Sequence, residues 1–257
     1  MMESRGCPVQ NWQNKRTLTG QQSFCGFGNE NEIRKRGEIM KQILLIGLGR
    51  FGRHMAMRLS ELGHQIMAVD KDEDRVSAVT EYTTNVLVGD STHEDFLKSL
   101  GINNFDVCFV CIGDDFESSI VTTDLLKENG AKRVISRAAS GIQEKILLRN
   151  GADSVIYPEH QVAEWSAVRY SSDYIADYFT LGDGYSIMEI GVPQSWRDRS
   201  LAELNLRNKA GINVLATKKN GELNVSVGPK TVLSENMTIL VIGEDSRINR
   251  ALDKADD

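Results

Sequence analysis

From residue 42 to about residue 159 the chain alternates short apolar runs with amphipathic stretches. QILLIG (42–47), HQIMAVD (64–70), NVLVGDST (85–92) and FDVCFVCIGDD (105–115) each carry a near-continuous apolar run. Runs of that kind are expected of parallel strands covered on both faces. RVISRAAS (133–140) and DSVIYPE (153–159) predict two further strands. RHMAMRLSELG (53–63), EDFLKSLGI (94–102), FESSIVTTDLLKENG (116–130) and IQEKILLRNG (142–151) predict the helices between them. The pattern implies an α/β class with a Rossmann-like doubly wound parallel sheet over residues 40–159.

After Pro158 the texture changes. HQVAEWSAVRYSSDYIADYF (160–179) places Val162, Trp165, Val168 and Ile175 at roughly helical spacing, which predicts a helical linker over 160–180. GYSIMEIGVP (184–193) then opens a strand-rich module. SLAELNLRNKAG (200–211) predicts a helix ended by Gly211, and INVLATKKNGELNVSV (212–227) carries an Asn-Gly hairpin turn at 220–221. MTILVIG (237–243) predicts a closing strand. The second module is therefore a small α+β domain over 181–250, with a tail at 251–257.

Residues 1–39 show neither periodicity and are rich in Asn, Gln and Gly. The segment has no signal-peptide core and too many acidic residues for a transit peptide. Arg36-Gly37-Glu38, just before Met40, can be encoded by a purine-rich ribosome-binding sequence. The expectation is a disordered leader, with the natural start at Met40. Six basic against four acidic residues give this leader +2, which leaves −8 of the net −6 on the remainder. That balance argues against a nucleic-acid partner. Cys108 and Cys111 sit three apart within a strand, so their sulfurs point to opposite faces as core residues rather than as a redox or zinc pair.

The candidate chemistry gathers after the first strand. Gly47, Gly49 and Gly52 form a GxGxxG turn between a strand and a helix, and Asp70 closes the next strand 18 residues after Gly52. This context is the dinucleotide-binding fingerprint: backbone N–H groups at a helix start meet phosphates, and the acid accepts from ribose hydroxyls. Asp70 with Asp72 would repel a 2′-phosphate, which disfavours NADP. Arg50 inside the loop suits phosphate oxygens better than hydride transfer. Phe51, Lys71, Asp90, Ser91, Thr92, Gly113 and Asp114 fall at the same strand ends and complete the candidate lining. His54, His64, His93 and His160 form no acid–base pair or metal motif, so the nucleotide reads as a signal rather than a substrate.

In order along the chain, ILLIGLGRFGRHMA, VGDST, VCFVCIGDD, YPE and SLAELNLRNKAGINVLATKKNGE resemble the RCK (or KTN) regulatory subunits of Ktr/Trk potassium uptake systems, over about residues 41–245. The resemblance implies an RCK_N and an RCK_C half. It also implies a cytoplasmic homodimer assembling into an octameric ring beneath a membrane potassium-transporting subunit of the KtrB/TrkH kind. ATP or ADP would bind the first half, with NAD(H) as the alternative; Arg50 would contact terminal phosphate and Asp70 the ribose. Glu159 matches a position implicated in a cation site, for Mg²⁺, Ca²⁺ or Na⁺. Arg207 and Asn213, with Leu206 and Ile212 as apolar neighbours, match a cyclic di-AMP site. Ala210, where relatives usually carry an aromatic, and Thr217 depart from that pattern.

Two other function classes frame this reading. A small NAD-dependent oxidoreductase would need an acid–base residue and a substrate pocket at the strand ends. An NADH-binding repressor would need a helix-turn-helix and a basic face. The sequence displays neither set.

Overall fold

The computed structural model describes residues 40–256. The first 39 residues, including Cys7, Cys25 and the segment before Met40, lie outside the described residues.

Six parallel strands form the first sheet: β1 (Gln42–Ile46), β2 (Gln65–Asp70), β3 (Asn85–Val88), β4 (Val107–Val110), β5 (Val134–Arg137) and β6 (Ser154–Ile156). Their spatial order is β3-β2-β1-β4-β5-β6, so the direction of winding reverses between β1 and β4. The helices α1 (Arg50–Glu61), α2 (Glu73–Ser77), α3 (Glu94–Ser99), α4 (Phe116–Glu128) and α5 (Gly141–Arg149) connect them. Alternate residues of the apolar runs serve opposite faces. Leu44, Ile46, Val69, Cys108 and Val110 belong to one buried cluster, and Leu45, Ile66, Ala68 and Cys111 to another. The two cysteines therefore do point to opposite faces. Burial pushes both thiols up to about 12.

The inward face of α4 sets three hydroxyl side chains beside the aliphatic Leu126. Ser119, Thr122 and Thr123 are buried; Thr122 Oγ1 meets Ser91 Oγ at 2.8 Å, and Thr123 Oγ1 meets Ser136 Oγ at 2.8 Å. Hydrogen bonds thereby join α4 to the loop after β3 and to β5.

From residue 158 onward the structure corrects three expectations. The linker helix α6 (Pro158–Tyr170) is shorter than 160–180, and Ile175 begins a strand, β7 (Ile175–Gly182). β7 pairs antiparallel with β8 (Tyr185–Gly191) through Asp183 and Gly184, at φ 53° and 76°. Two successive positive φ values make a primed turn, whose twist suits a hairpin. The antiparallel sheet of the second module thus begins at β7.

The helical pattern of 200–211 is split into α7 (Leu201–Leu204) and α8 (Leu206–Ala210), because Asn205 adopts the left-handed conformation at φ 49°. β9 (Asn213–Lys219) and β10 (Glu222–Asn224) enclose the expected hairpin turn, with Asn220 at φ 53° and Gly221 at φ 86°. After β11 (Met237–Glu244) the expected tail is instead the second half of a helix, α9 (Asp245–Asp256). Ile248, Leu252 and Ala255 recur at helical spacing and are buried with Met188, Ile190, Trp196 and Ile239 in the core of the second module. The antiparallel sheet runs β10-β9-β11-β8-β7.

Between the two modules, α6 buries none of its residues fully. It is fastened near its far end: Trp165 Nε1 donates to Asp177 Oδ1 at 3.0 Å, and Arg169 donates to the Ile175 carbonyl.

Candidate functional site

A cavity of about 920 Å³ opens at the carboxyl ends of β1, β2, β3, β4 and β5. That edge is where open α/β sheets bind ligands, and the volume is that of an ordinary small-molecule site. Of the residues expected from sequence, Gly47, Gly49, Arg50, Phe51, Asp70, Lys71, Asp90, Ser91, Gly113, Asp114 and Glu159 line it.

The three loop glycines do three different jobs. Gly47 has φ +91°, and a Cβ there would lie 2.8 Å from the Ile112 nitrogen. A Cβ on Gly52 would lie 1.9 Å from the Gly47 carbonyl oxygen, so Gly52 lets α1 close onto the loop and does not itself line the cavity. Gly49 has nothing within 4 Å of a built Cβ. It is the N-cap of α1 with no side-chain cap, and the first turn holds no acidic residue. The free N–H groups of that turn are available to an anion.

Asp70 holds this loop. It is buried; one carboxylate oxygen accepts from Leu48 N at 2.6 Å and the other from Asp72 N at 3.0 Å. Arg75 stands 3.9 Å away. The acid is therefore a structural tie between β2 and the glycine loop as well as a candidate acceptor for a ligand. Asp90 is fixed by the Thr92 hydroxyl at 2.7 Å and the Thr92 N–H at 2.9 Å, and these bonds lower its pKa. Thr92 serves that turn rather than the cavity. Ser91 spends its hydroxyl on Thr122. Asp115 caps α4 through Ser118, whose hydroxyl and then N–H lower its pKa. Its Oδ2 lies 3.9 Å from Lys71 Nζ.

Arg53, in the first turn of α1, also lines the cavity, as do His54, Asp74, Arg75, Asp115, Ser118 and Arg137, which the sequence reading missed as lining residues. A basic residue at the carboxyl end of a parallel strand was the available signal for Arg137. It pairs with Glu159 and lies 5.8 Å from the Phe51 ring centre. Burial works against ionisation of Glu159. Even so, the helix-start backbone, the bond and charge of Arg137 and the charge of Arg50 hold its pKa below the ordinary value.

Among the described residues no three His, Cys, Asp or Glu side chains gather as a metal set. The Glu159 carboxylate is engaged by the Arg137 guanidinium. Of the expected cyclic di-AMP residues, Arg207 and Asn213 are exposed. Leu206 and Ile212 are buried in the second core, directly beside them in sequence.

The fold and the site together define a class: a Rossmann-type module with a phosphate-suited cavity, followed by a small antiparallel module. The TrkA-N domain matches residues 43–158 and the TrkA-C domain residues 186–256, and the chain belongs to the TrkA-N/TrkA-C family of potassium uptake proteins. It is 37% identical to Ktr system potassium uptake protein C of Bacillus subtilis over 82% of this chain and 95% of that protein. It is 35% identical to Ktr system potassium uptake protein A of the same organism, over the same shares. Protein A of Vibrio alginolyticus is 31% identical over 82% of this chain and 96% of its own. All three are proteins of Ktr potassium uptake systems.

The fold is shared with the GsuK RCK domain, at a TM-score of 0.61 and 15% identity over 86% of this chain and 49% of that one. It is likewise shared with the GsuK channel bound to NAD, at 0.61 and 17% over 89% and 42%. The chain thus spans about half the length of these channel chains or less.

Proposed function

We propose that the protein is a nucleotide-sensing regulatory subunit of a potassium uptake system, and that the cavity takes ATP or ADP. The observation that carries this reading is the uncapped start of α1, open at Gly49, with Arg50 and Arg53 beside it and Asp70 across the cavity. Backbone N–H groups and guanidinium groups supply phosphate recognition.

No helix among the described residues is long and apolar enough to cross a membrane. In this reading ion passage belongs to a membrane-embedded partner, at whose cytoplasmic face the protein docks. Val162, Tyr170, Phe179, Leu181 and Tyr185, on α6, β7 and the start of β8, are exposed. A second copy covering them would give the homodimer from which a ring is built.

Thermal-shift titration of the purified chain with ATP, ADP, NADH and cyclic di-AMP tests the ligand. Binding to the folded state raises the melting temperature by mass action. The expected result is stabilisation by ATP and ADP. Stabilisation by NADH alone would overturn it and favour the NAD(H) alternative.

A further inference from the structure

Arg137 ends β5 with its side chain only 18% exposed, against the cavity wall. A Cβ on Gly113 would stand 1.8 Å from its Nη1, so the guanidinium occupies space that the glycine leaves open. Nη2 donates to Glu159, yet among the described residues the buried Nε has no hydrogen-bond partner. Nε–H and Nη2 are the two prongs of one fork, built to meet two oxygens in parallel. Glu159 takes one prong and leaves the other unmet. Buried donors of this kind are rare and costly. Glu159 has no corresponding need. Its side chain is 58% exposed in the first turn of α6, where the helix start already favours a carboxylate.

We propose that Arg137 reads the terminal phosphate of a nucleoside polyphosphate, and that Glu159 is a stand-in for that phosphate when the position is empty. The inference rests on the nucleotide reading above and assigns its phosphate-counting residue. A phosphate offers two oxygens to the whole fork, so it satisfies Nε and outcompetes the single carboxylate contact. Glu159 is then released, and because it opens α6, occupancy of the cavity changes how that helix is held at its first turn. Gly113 belongs to the same device, since any side chain there would displace the guanidinium.

The test is calorimetric titration of the full chain with ATP, ADP and AMP, with EDTA present. R137Q is expected to weaken ATP binding about 10- to 100-fold, the worth of a charge-assisted bond. Its effect on AMP should stay within about threefold, since AMP lacks the outer phosphates. Glu159→Gln removes the competitor and is expected to tighten ATP binding. Hydrogen exchange of amides 161–166 should quicken when ATP is added to the wild type and stay unchanged in R137Q.

Equal losses for AMP and ATP in R137Q, or weaker ATP binding in E159Q, would overturn the assignment while leaving the nucleotide reading intact. No binding of any of the three by the wild type would overturn both. If R137Q does not fold, E159Q decides alone, because its substitution lies at an exposed carboxylate.

Discussion

At the scale of single residues, the glycine loop separates folding from binding. Gly49→Ala adds a methyl into open space at an N-cap, so stability should fall by no more than about 1 kcal/mol, while ATP affinity drops because the methyl stands where a phosphate would approach. Gly52→Ala drives a Cβ into the Gly47 carbonyl. It should destabilise the first module by several times as much, read as a lowered melting temperature without ligand. Cys108 and Cys111, whose thiols burial pushes up to about 12, should resist iodoacetamide at pH 8 in the native protein. They should react after denaturation, as peptide mapping would show. The glycines and Asp70 were legible because their chemistry is local: a fixed spacing between a strand and a helix. Arg137 was not, because its role depends on Gly113, Phe51 and Glu159, which only the folded sheet brings to it. For Leu206 and Ile212 the spacing places them beside Arg207 and Asn213, and packing buries both in the second core.

At the scale of elements, the parallel strands were plain because each is an uninterrupted apolar run. β7 was hidden by Ile175, whose distance from Val168 fits a helix as well as a strand start. The deciding information is the pairing of β7 with β8, a contact across a turn that helical spacing along 160–179 does not register. α9 was equally readable in principle from Ile248, Leu252 and Ala255, yet it follows a strand directly and is otherwise polar. Leu252→Ala should cost about 2–4 kcal/mol through the cavity it leaves, measured by urea denaturation.

Asp153, just before β6, offers a pH test at this scale. Burial opposes its ionisation, but Val134 N–H at 2.6 Å and Lys127 Nζ at 3.0 Å lower its pKa. A lowered folded-state pKa means its contribution is complete above the ordinary aspartate value of about 4. It is lost as the pH falls through the folded value. Asp153→Asn should therefore flatten the loss of stability as the pH falls below about 4.

At the scale of the molecule, the described residues hold two sets of cores: clusters drawn from residues 44–152 and one drawn from residues 175–255. Calorimetry should resolve two unfolding transitions, and ATP should raise only that of the first module. A single transition that moves as a whole would show that the modules unfold together. What joins them is α6, with Glu159 beside the cavity at one end and Trp165 and Arg169 tied to the second module toward the other. Mechanically this is a lever. Thirteen helical residues make an arm of about 20 Å. A tilt of about 10° at the pivot carries the far tip about 3 Å, over half the rise of one helical turn.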